Sequence, residues 1–334
     1  MDCLGAHRQR SKKTSGPTAC KLVQVLGESI KPGEHVTLDM QVAKLYTRTQ
    51  VDIPVVVHRA KEEGPTILIM AALHGDEVTG IEIARRMLVA LQRRPLDRGT
   101  LIAIPVLNVF GFLAMQREMP DGRDLNRCFP GSAQGSLAAR LAHTLVKDVM
   151  PAADVVIDLH AGGAHRMNYP QVRYTQGDKH ALDLARLFDP PVILRAKQIA
   201  GTLRSHLANK DKPYLLFEGG ASKQFDDLTR EEGVRGISRV LMGLNMWDQI
   251  PRTARGAQEL TSSKWIRAND SGLLDIIVTN GAEVKKGDVL AYINDPYGKS
   301  LNKIRAPFNG QIICVNTSPV VNQGDALFHL GRSI

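Results

Sequence analysis

Residues 66–77 read TILIMAALHGDE, and this stretch decides the fold. Its first part, Thr66–Leu73, is an almost unbroken apolar run, which is typical of a strand covered on both faces of a sheet. A short polar loop follows, and apolar residues then recur at helical spacing as Ile81, Ala84, Leu88 and Leu91. The stretch therefore predicts a buried strand, a loop with chemically active side chains, and an amphipathic helix.

The same alternation continues along the chain. Three more apolar runs predict buried strands, at Leu101–Leu107, Asp154–Leu159 and Tyr214–Phe217. A second helical pattern is formed by Ala138, Leu141, Leu145 and Val149. Strands that alternate with helices predict an α/β fold with a mostly parallel mixed sheet flanked by helices. In such sheets, functional sites gather just beyond the carboxyl ends of the strands.

The composition changes along the chain and predicts four parts. Residues 1–20 are polar and basic without the features of a secretory signal, so we expect a disordered tail. Residues 21–248 carry the α/β pattern, and the polar residues 249–263 predict a linker. Residues 264–334 combine short β-like segments with glycine turns and predict a small C-terminal β domain.

An internal repeat marks this C-terminal part. Gly272–Ile293 and Gly310–Leu330 share an initial glycine, a Gly-Asp turn and a final apolar strand. The repeat resembles the barrel of biotinyl and lipoyl carrier domains, whose modified lysine lies between methionines. Lys299 occupies the corresponding hairpin without a neighbouring Met. We therefore expect a scaffold or a lid rather than a cofactor carrier.

Composition excludes several classes of function. The 334 residues carry a net charge of +9, but no basic stripe with interleaved aromatic residues indicates nucleic-acid binding. No apolar run approaches the ~18 residues of a membrane span. The four cysteines are scattered, which favours a reducing cytoplasm. We expect a cytoplasmic enzyme with a small anionic substrate, and the sequence leaves a homo-oligomer open.

His74 and Glu77 lie three residues apart at the predicted start of a helix, so both side chains can reach one ion. Imidazole nitrogen and carboxylate oxygen are typical zinc ligands, and a catalytic zinc has three protein ligands and an open position. His160 follows the strand Asp154–Leu159 and supplies a third ligand at a second strand end. A solvent-facing His–Glu pair and a core histidine are the alternatives.

Two further polar segments complete the predicted site. Glu218 follows the strand Tyr214–Phe217, where burying a carboxylate is costly unless it has a partner or a function. We expect it to act as a general base. In the loop that begins at Asp124, the planar guanidinium of Arg127 can bind a carboxylate through two hydrogen bonds. The side-chain amide of Asn126 can donate a hydrogen bond to the same carboxylate.

In chain order, HGDE (74–77), DLNRCFPG (124–131), DLHAGG (158–163) and the late Glu218 resemble the motifs of the succinylglutamate desuccinylase and aspartoacylase family. This family belongs to the wider zinc carboxypeptidase superfamily. The resemblance covers about residues 50–330, including a small C-terminal β domain. It implies one Zn²⁺ per chain, with His74, Glu77 and His160 as ligands. It also implies that Glu218 acts as the base and that Asn126 and Arg127 bind a carboxylate of the substrate.

The resemblance also implies two residues whose positions stay open. An arginine that polarises the scissile carbonyl precedes DLNR in the family, and Arg117 is our choice, with Arg123 as the alternative. A tyrosine of the family's C-terminal domain contacts substrate. This tyrosine has no clear counterpart here: Tyr297 in the DPYG turn is one candidate, but the favoured interpretation is an ordinary turn tyrosine.

The implied activity is zinc-dependent hydrolysis of the linear amide bond of an N-acyl amino acid. Two alternatives remain: a zinc carboxypeptidase that acts on short peptides, and a non-catalytic binding protein with the same fold.

Overall fold

The structure is a computed structural model that describes residues 22–248, 256–298 and 301–332. Before residue 248 the strands are β1 (Val23–Val25), β2 (Glu28–Ile30), β3 (His35–Lys44), β4 (Gln50–Arg59), β5 (Glu62–Ala71), β6 (Arg98–Ile104), β7 (Val155–Gly162), β8 (Arg166–Thr175), β9 (Val192–Ala196) and β10 (Tyr214–Ala221). The helices are α1 (Thr79–Arg93), α2 (Val109–Ala114), α3 (Leu137–Asp148), α4 (Lys179–Phe188), α5 (Leu203–Ala208) and α6 (Asp227–Gly243). Short 3₁₀ turns cover Leu125–Arg127 and Met150–Ala152.

After residue 256 the described chain is built from strands: β11 (Gln258–Leu260), β12 (Ser262–Arg267), β13 (Gly272–Ile276), β14 (Glu283–Val284), β15 (Val289–Asn294), β16 (Leu301–Arg305), β17 (Gly310–Asn316), β18 (Val320–Val321) and β19 (Ala326–Arg332). Across the described residues, every helix is too short or too polar to cross a lipid bilayer.

One large mixed sheet organises the molecule, in the order β12-β19-β17-β8-β10-β7-β5-β6-β4-β3. Its centre, β10-β7-β5-β6, is parallel, and the strands on both flanks pair in antiparallel fashion. The predicted α/β fold with a mixed sheet is confirmed. Parallel pairing occurs where a helical crossover joins neighbouring strands, as α1 joins β5 and β6 and α4 joins β8 and β9, whereas β3 and β4 form an antiparallel hairpin.

The apolar runs of the sequence form the central strands, and both faces of these strands are covered. In β5, Ile67 and Ile69 pack with α1, α4 and α6 on one face. Leu68 and Met70 pack on the other face, where α3 lies. Full burial of each such side chain contributes about 1.5–3 kcal/mol. This two-sided burial explains why the run lacks the alternation of a half-exposed strand.

The stretch predicted as a linker contains strand structure where it is described. Residues 249–255, like the predicted tail 1–20, lie outside the described residues. Residues 256–263 instead include β11, which pairs in parallel with β9, and the start of β12. The reason is one apolar residue, because Leu260 is buried against Val192, Leu194 and Ile313.

The two C-terminal repeats form equivalent strands, β13-β14-β15 and β17-β18-β19. Each exchanges its middle strand with the other, since β14 pairs with β17 and β18 pairs with β13. The second repeat also joins the large sheet through β17 and β8. The C-terminal strands are therefore continuous with the sheet that carries the central strands. Lys299 lies outside the described residues.

Candidate active site

The predicted site residues meet at the carboxyl edge of the three parallel strands β5, β7 and β10. His74 lies just after β5, and Glu77 precedes α1. His160 in β7 is the Cα partner of Glu218 in β10. The loop after β5 needs a glycine at position 75, because a Cβ atom there would lie 1.9 Å from the backbone of Gly111. The strand order thus brings together residues that are 144 positions apart in the sequence, from His74 to Glu218.

His74, Glu77 and His160 form a buried cluster whose potential ligand atoms all lie within 4.8 Å of one another. The two carboxylate oxygens of Glu77 each approach one imidazole, at 2.8 Å from His74 Nδ1 and 2.9 Å from His160 Nδ1. The backbone N–H of Ala161 also donates to Glu77, at 2.9 Å. Two nitrogens and one carboxylate, all directed to one point, match the donor set of a catalytic zinc site.

The outer nitrogen of each imidazole has a carboxylate behind it. His74 Nε2 lies 3.1 Å from Asp124 Oδ1, and His160 Nε2 lies 3.0 Å from Asp158 Oδ2. The hydroxyl of the buried Tyr214 donates to the same Asp158 oxygen at 2.7 Å. Metal-binding histidines almost always have such a partner, which fixes the ring and increases its basicity. The surroundings of the cluster therefore fit a bound cation.

The shifted pKa values of Glu77, His74 and His160 also indicate that this cluster stabilises a positive charge. Burial raises the pKa of Glu77, but His74 and His160 outweigh burial and hold that pKa well below its usual range. Burial lowers the pKa of His160, but Asp158 and Glu77 raise it well above its ordinary value. His74 behaves similarly, with Glu77 and Asp124 raising its pKa against burial. Carboxylates that stabilise a proton on these rings also stabilise a cation that replaces the proton.

The structure distinguishes the two candidate arginines. The Arg117 guanidinium lies 3.2 Å from Glu77 Oε1 and donates to Asp124 Oδ2 at 2.9 Å. Its backbone carbonyl accepts a hydrogen bond from the buried Asn108, which also caps α2. The Arg123 side chain is 62% exposed, and its nearest acidic partner is Asp121 at 3.9 Å. Only Arg117 of the two lines the cavity beside the cluster.

Glu218 faces the same cavity and is held by two side chains of β8. Asn168 Nδ2 donates to Glu218 Oε2 at 2.6 Å, and Arg173 Nη1 lies 3.3 Å from Oε1. The strand bulges immediately after Glu218, where Gly220 adopts φ +66°, a conformation that favours glycine. A carboxylate at the end of a strand is thereby fixed in one orientation toward the cluster of imidazoles.

Asn126 and Arg127 line the cavity, but they differ in how firmly they are held. Asn126 Oδ1 accepts a hydrogen bond from the backbone N–H of Leu203 at 3.0 Å. Its amide nitrogen has no acceptor among the described residues and stays available to donate. The Arg127 side chain is 51% exposed and lies 3.9 Å from Asp124 Oδ2. Both residues therefore face the space that a ligand would occupy, and Arg127, whose Nη1 donates to the backbone carbonyl of Asn126 at 2.8 Å, is the more exposed of the two.

The cavity has a volume of about 450 Å³, within the ~300–1,000 Å³ of small-molecule sites. Most of its lining residues were not predicted as site residues from the sequence, and two of them, Arg204 and Trp265, are large side chains that face a ligand. Arg204 is only 9% exposed, and neither its Nε nor its Nη1 has a hydrogen-bond partner in the described chain. Burial, with a contribution from Arg173, lowers the pKa of Arg204. Trp265 of β12 is the second, and it forms a wall of the cavity.

No sequence signal marked these two residues, whereas Asp158 had one. Asp158 and His160 are two apart in a strand and share a face, so a carboxylate beside the imidazole could have been predicted. Tyr297 has the surroundings of an ordinary turn tyrosine, the interpretation that the sequence favoured. It is 83% exposed in a turn and does not line the cavity.

Comparison with known proteins identifies the family. A sequence model of the succinylglutamate desuccinylase/aspartoacylase catalytic domain matches residues 63–244, more than half of the chain. The chain belongs to this family. The four central strands, apart from Glu62 at the start of β5, and the cluster of His74, Glu77 and His160 fall within the matched range.

One curated relative and two solved structures are similar to this chain, and the two structures, at less than 25% identity, show the fold. The N-α-acetyl-L-2,4-diaminobutyric acid deacetylase of Halomonas elongata is 27% identical over 293 residues, which cover 83% of this chain and 84% of that protein. The product-bound ectoine utilization protein EutE (DoeB) of Ruegeria pomeroyi has a TM-score of 0.80 at 23% identity, covering 90% of this chain and 95% of that one. A succinylglutamate desuccinylase/aspartoacylase of Rhodobacter sphaeroides has a TM-score of 0.79 at 24% identity, covering 90% and 96%. The family acts on N-acyl amino acids, which places this chain among the deacylases.

Proposed function

We propose that this protein is a zinc-dependent hydrolase that cleaves the amide bond of a small N-acyl amino acid. The observation that carries the proposal is the cluster of His74, Glu77 and His160 with a carboxylate behind each imidazole. These three side chains would hold Zn²⁺. When bound, Zn²⁺ supplies the Lewis acidity that polarises the amide carbonyl and activates a water for attack.

Glu218 is the general base in this proposal. Its two oxygens are fixed by Asn168 and Arg173, so the carboxylate meets the attacking water without a conformational search. It accepts a proton from that water and then transfers it to the nitrogen of the departing amine. One carboxylate within hydrogen-bond reach of both the attacking water and the leaving nitrogen can serve both transfers.

Arg117 stabilises the negative charge that develops on the carbonyl oxygen. Glu77 and Asp124 hold its guanidinium beside the cluster, so little reorganisation is needed during the reaction. Burial opposes the charge of Arg117, but Glu77 and Asp124 raise its pKa above the ordinary value. The arginine therefore stays cationic throughout the working pH range.

In this proposal the substrate carboxylate is bound by the side chains of Asn126, Arg127 and Arg204. Buried guanidinium nitrogens that lack an acceptor are costly, and a contact with a ligand carboxylate relieves that cost. Arg204 Nη2 donates to the backbone carbonyl of Lys197 at 2.9 Å. Arg204 meets the description, because two of its nitrogens have no hydrogen-bond partner in the described chain. The relative from Halomonas elongata is named as a deacetylase of an N-acetylated amino acid, an activity of the same class.

A small substrate fits the cavity better than a peptide. Trp265 closes one wall and is held in the sheet that also carries His160, so it cannot swing aside as a loose lid would. This observation favours a deacylase over a carboxypeptidase. The complete set of proposed ligands, base and arginine argues against a non-catalytic binding protein.

The test is a panel of N-acetyl and N-succinyl amino acids measured beside short peptides, with zinc added. We expect hydrolysis of at least one N-acyl amino acid, loss of activity in chelator, and about one zinc per chain. The variant His160→Ala should lose both bound metal and turnover, whereas Arg123→Ala, outside the cavity, should keep both. Full activity in chelator, or peptides as the preferred substrates, would reject the proposal.

A further inference from the structure

A buried glutamine joins the C-terminal strands to the side chains that hold Glu218. Gln171 lies in β8 as the Cα partner of Glu218 in β10. Its side chain is fully buried and does not line the cavity, so it is out of reach of a ligand. Any effect of Gln171 on the proposed reaction must therefore pass through a neighbouring side chain.

The hydrogen bonds of the Gln171 amide fix its orientation. Its Nε2 donates to the backbone carbonyls of Tyr169 at 3.1 Å and Ile313 at 3.0 Å. Both amide hydrogens are used in this way, and Oε1 accepts a hydrogen bond from Arg173 Nε at 3.2 Å. A flipped amide would place its oxygen against two carbonyl oxygens and its NH₂ group against the Arg173 donor. Only one orientation of the amide therefore suits these neighbours.

The contact with Ile313 arises from an irregularity in the C-terminal strands. The register of β17 against β19 shifts between Ile312 and Cys314, so Ile313 lies at a bulge. The pairing of β17 with β8 begins one residue later, at Cys314. The extra residue of a bulge is left out of the regular ladder, and here Gln171 donates to its carbonyl. Because a buried carbonyl without a donor is costly, the bulge and the glutamine stabilise each other.

Arg173 transmits the orientation of Gln171 to Glu218. Its Nε donates to Gln171, and its Nη1 lies 3.3 Å from Glu218 Oε1. Because a guanidinium is planar, fixing the direction of Nε also fixes the direction of Nη1. The Arg173 side chain is 21% exposed and lines the cavity, so without Gln171 it is free to turn toward water. Glu218 would then keep only its contact with Asn168 on β8.

We propose that Gln171 is a positioning residue for the general base, and that the C-terminal strands contribute to catalysis through it. Gln171 links the Ile313 carbonyl of β17 to Arg173, and Arg173 in turn holds the Glu218 carboxylate. The C-terminal strands therefore do more than form a wall of the cavity, because they also keep the base in one orientation. This inference rests on the proposed role of Glu218 and adds the residues that hold its carboxylate in place.

Gln171→Met tests the proposal, because methionine has nearly the same length as glutamine and lacks its amide. We expect kcat to fall by about 10- to 100-fold, the effect of a misplaced catalytic group, with KM within about twofold of the wild-type value and zinc content unchanged. Gln311→Met is the matched control. Gln311 is a buried residue of β17 whose Nε2 also donates to a backbone carbonyl, that of Gly281 at 3.0 Å, but it lies outside the cavity.

Both variants lose a buried amide, so both should have a lower melting temperature, and kcat is measured well below it. A purely structural role for Gln171 predicts the same kcat in Gln171→Met as in Gln311→Met, and that result would overturn the proposal. The proposal instead requires a large fall in kcat in Gln171→Met and a wild-type kcat in Gln311→Met.

A double-mutant cycle tests whether Gln171 acts through Arg173. Arg173→Met removes the guanidinium that contacts both Gln171 and Glu218. In that background Gln171→Met should change kcat by less than about twofold, because the contact through which it acts is already gone. If the effects of the two substitutions multiply, Gln171 affects the reaction by another route and the proposal is wrong.

Hydrogen exchange at Arg173 gives a readout without turnover and without a Gln171 variant. In protein with isotopically labelled arginine, the NMR signal of Arg173 Nε–H is identified by its absence from Arg173→Met. Its exchange with water should be at least about tenfold slower than that of Arg123, whose side chain is 62% exposed. Equally fast exchange at the two arginines would reject the contact with Gln171 and the proposal with it.

The two readouts separate this inference from the proposed function. If Arg173 Nε–H is protected in the wild type and loses its protection in Gln171→Met, but no N-acyl amino acid is hydrolysed, the link from β17 to Glu218 stands and the proposed reaction fails. If an N-acyl amino acid is hydrolysed with the same kcat by the wild type and by Gln171→Met, the reaction stands and the positioning role fails.

Discussion

Asp158→Asn tests whether the carboxylate behind His160 supports a metal ion. Asp158 is fully buried, its Oδ2 lies 3.0 Å from His160 Nε2, and Tyr214 donates to the same atom. Asparagine has the same shape without the charge. A charge-assisted hydrogen bond contributes about 1.5–3 kcal/mol and a neutral one about 0.5–1.5 kcal/mol, so the substitution removes about 1–1.5 kcal/mol. This difference corresponds to roughly tenfold weaker zinc binding, and the lower basicity of His160 extends the expected loss toward about a hundredfold.

The assay is competition for zinc with a chelator of known affinity. We expect Asp158→Asn to raise the zinc Kd by about 10- to 100-fold and to recover most of its turnover when zinc is saturating. Tyr214→Phe is the control, because it removes the hydroxyl donor and keeps the carboxylate, so its zinc Kd should change only a few-fold. An unchanged zinc Kd in Asp158→Asn would refute the reasoning, as would normal zinc affinity with no turnover.

Four further outcomes are expected. Glu218→Gln should keep its zinc and lose about 10²–10⁴ in kcat, and a near-wild-type kcat would assign the base elsewhere. Arg127→Lys should lower kcat/KM nearly as much as Arg127→Ala, by at least about tenfold, because lysine lacks the planar fork that binds a carboxylate. The prediction is contradicted if the ratio of kcat/KM between a substrate with a free carboxylate and its amide is the same in Arg127→Lys and in the wild type. Burial lowers the pKa of His329 to about 3, so the unfolded chain binds a proton first as the pH falls below about 6.5. The contribution of His329 to the unfolding free energy, measured in urea, should therefore fall by up to roughly 1.4 kcal/mol per pH unit below that point. The difference in unfolding free energy between the wild type and His329→Phe, followed against pH, isolates this contribution from those of the other histidines. A chain that ends near Trp247 should aggregate on size-exclusion chromatography, because β8 loses its partner β17 and the apolar side chains of β9 lose Leu260 and Ile313.

The site was predictable where local patterning and strand order act together. Apolar runs long enough to be covered on both faces predicted the central parallel strands, and the carboxyl ends of such strands meet at one edge. His74, Glu77, His160 and Glu218 each follow or end such a run, so their convergence followed from the sequence. The choice between Arg117 and Arg123 did not follow from spacing, because a turn-rich loop can direct either side chain inward.

The fold class, the internal repeat and the residues of the candidate metal cluster could be predicted from the sequence, because apolar runs predict buried parallel strands and the carboxyl ends of such strands meet at one edge. Only the tertiary structure revealed Arg204 and Trp265. Trp265 reaches the cavity through three successive strand pairings, β12 with β19, β19 with β17 and β17 with β8. Strand register over such distances is set by the packing of whole sheets, and a slip of one residue would turn the indole to the opposite face. The wall of the cavity is therefore a property of the assembled sheet, whereas its metal cluster can be read from the chain.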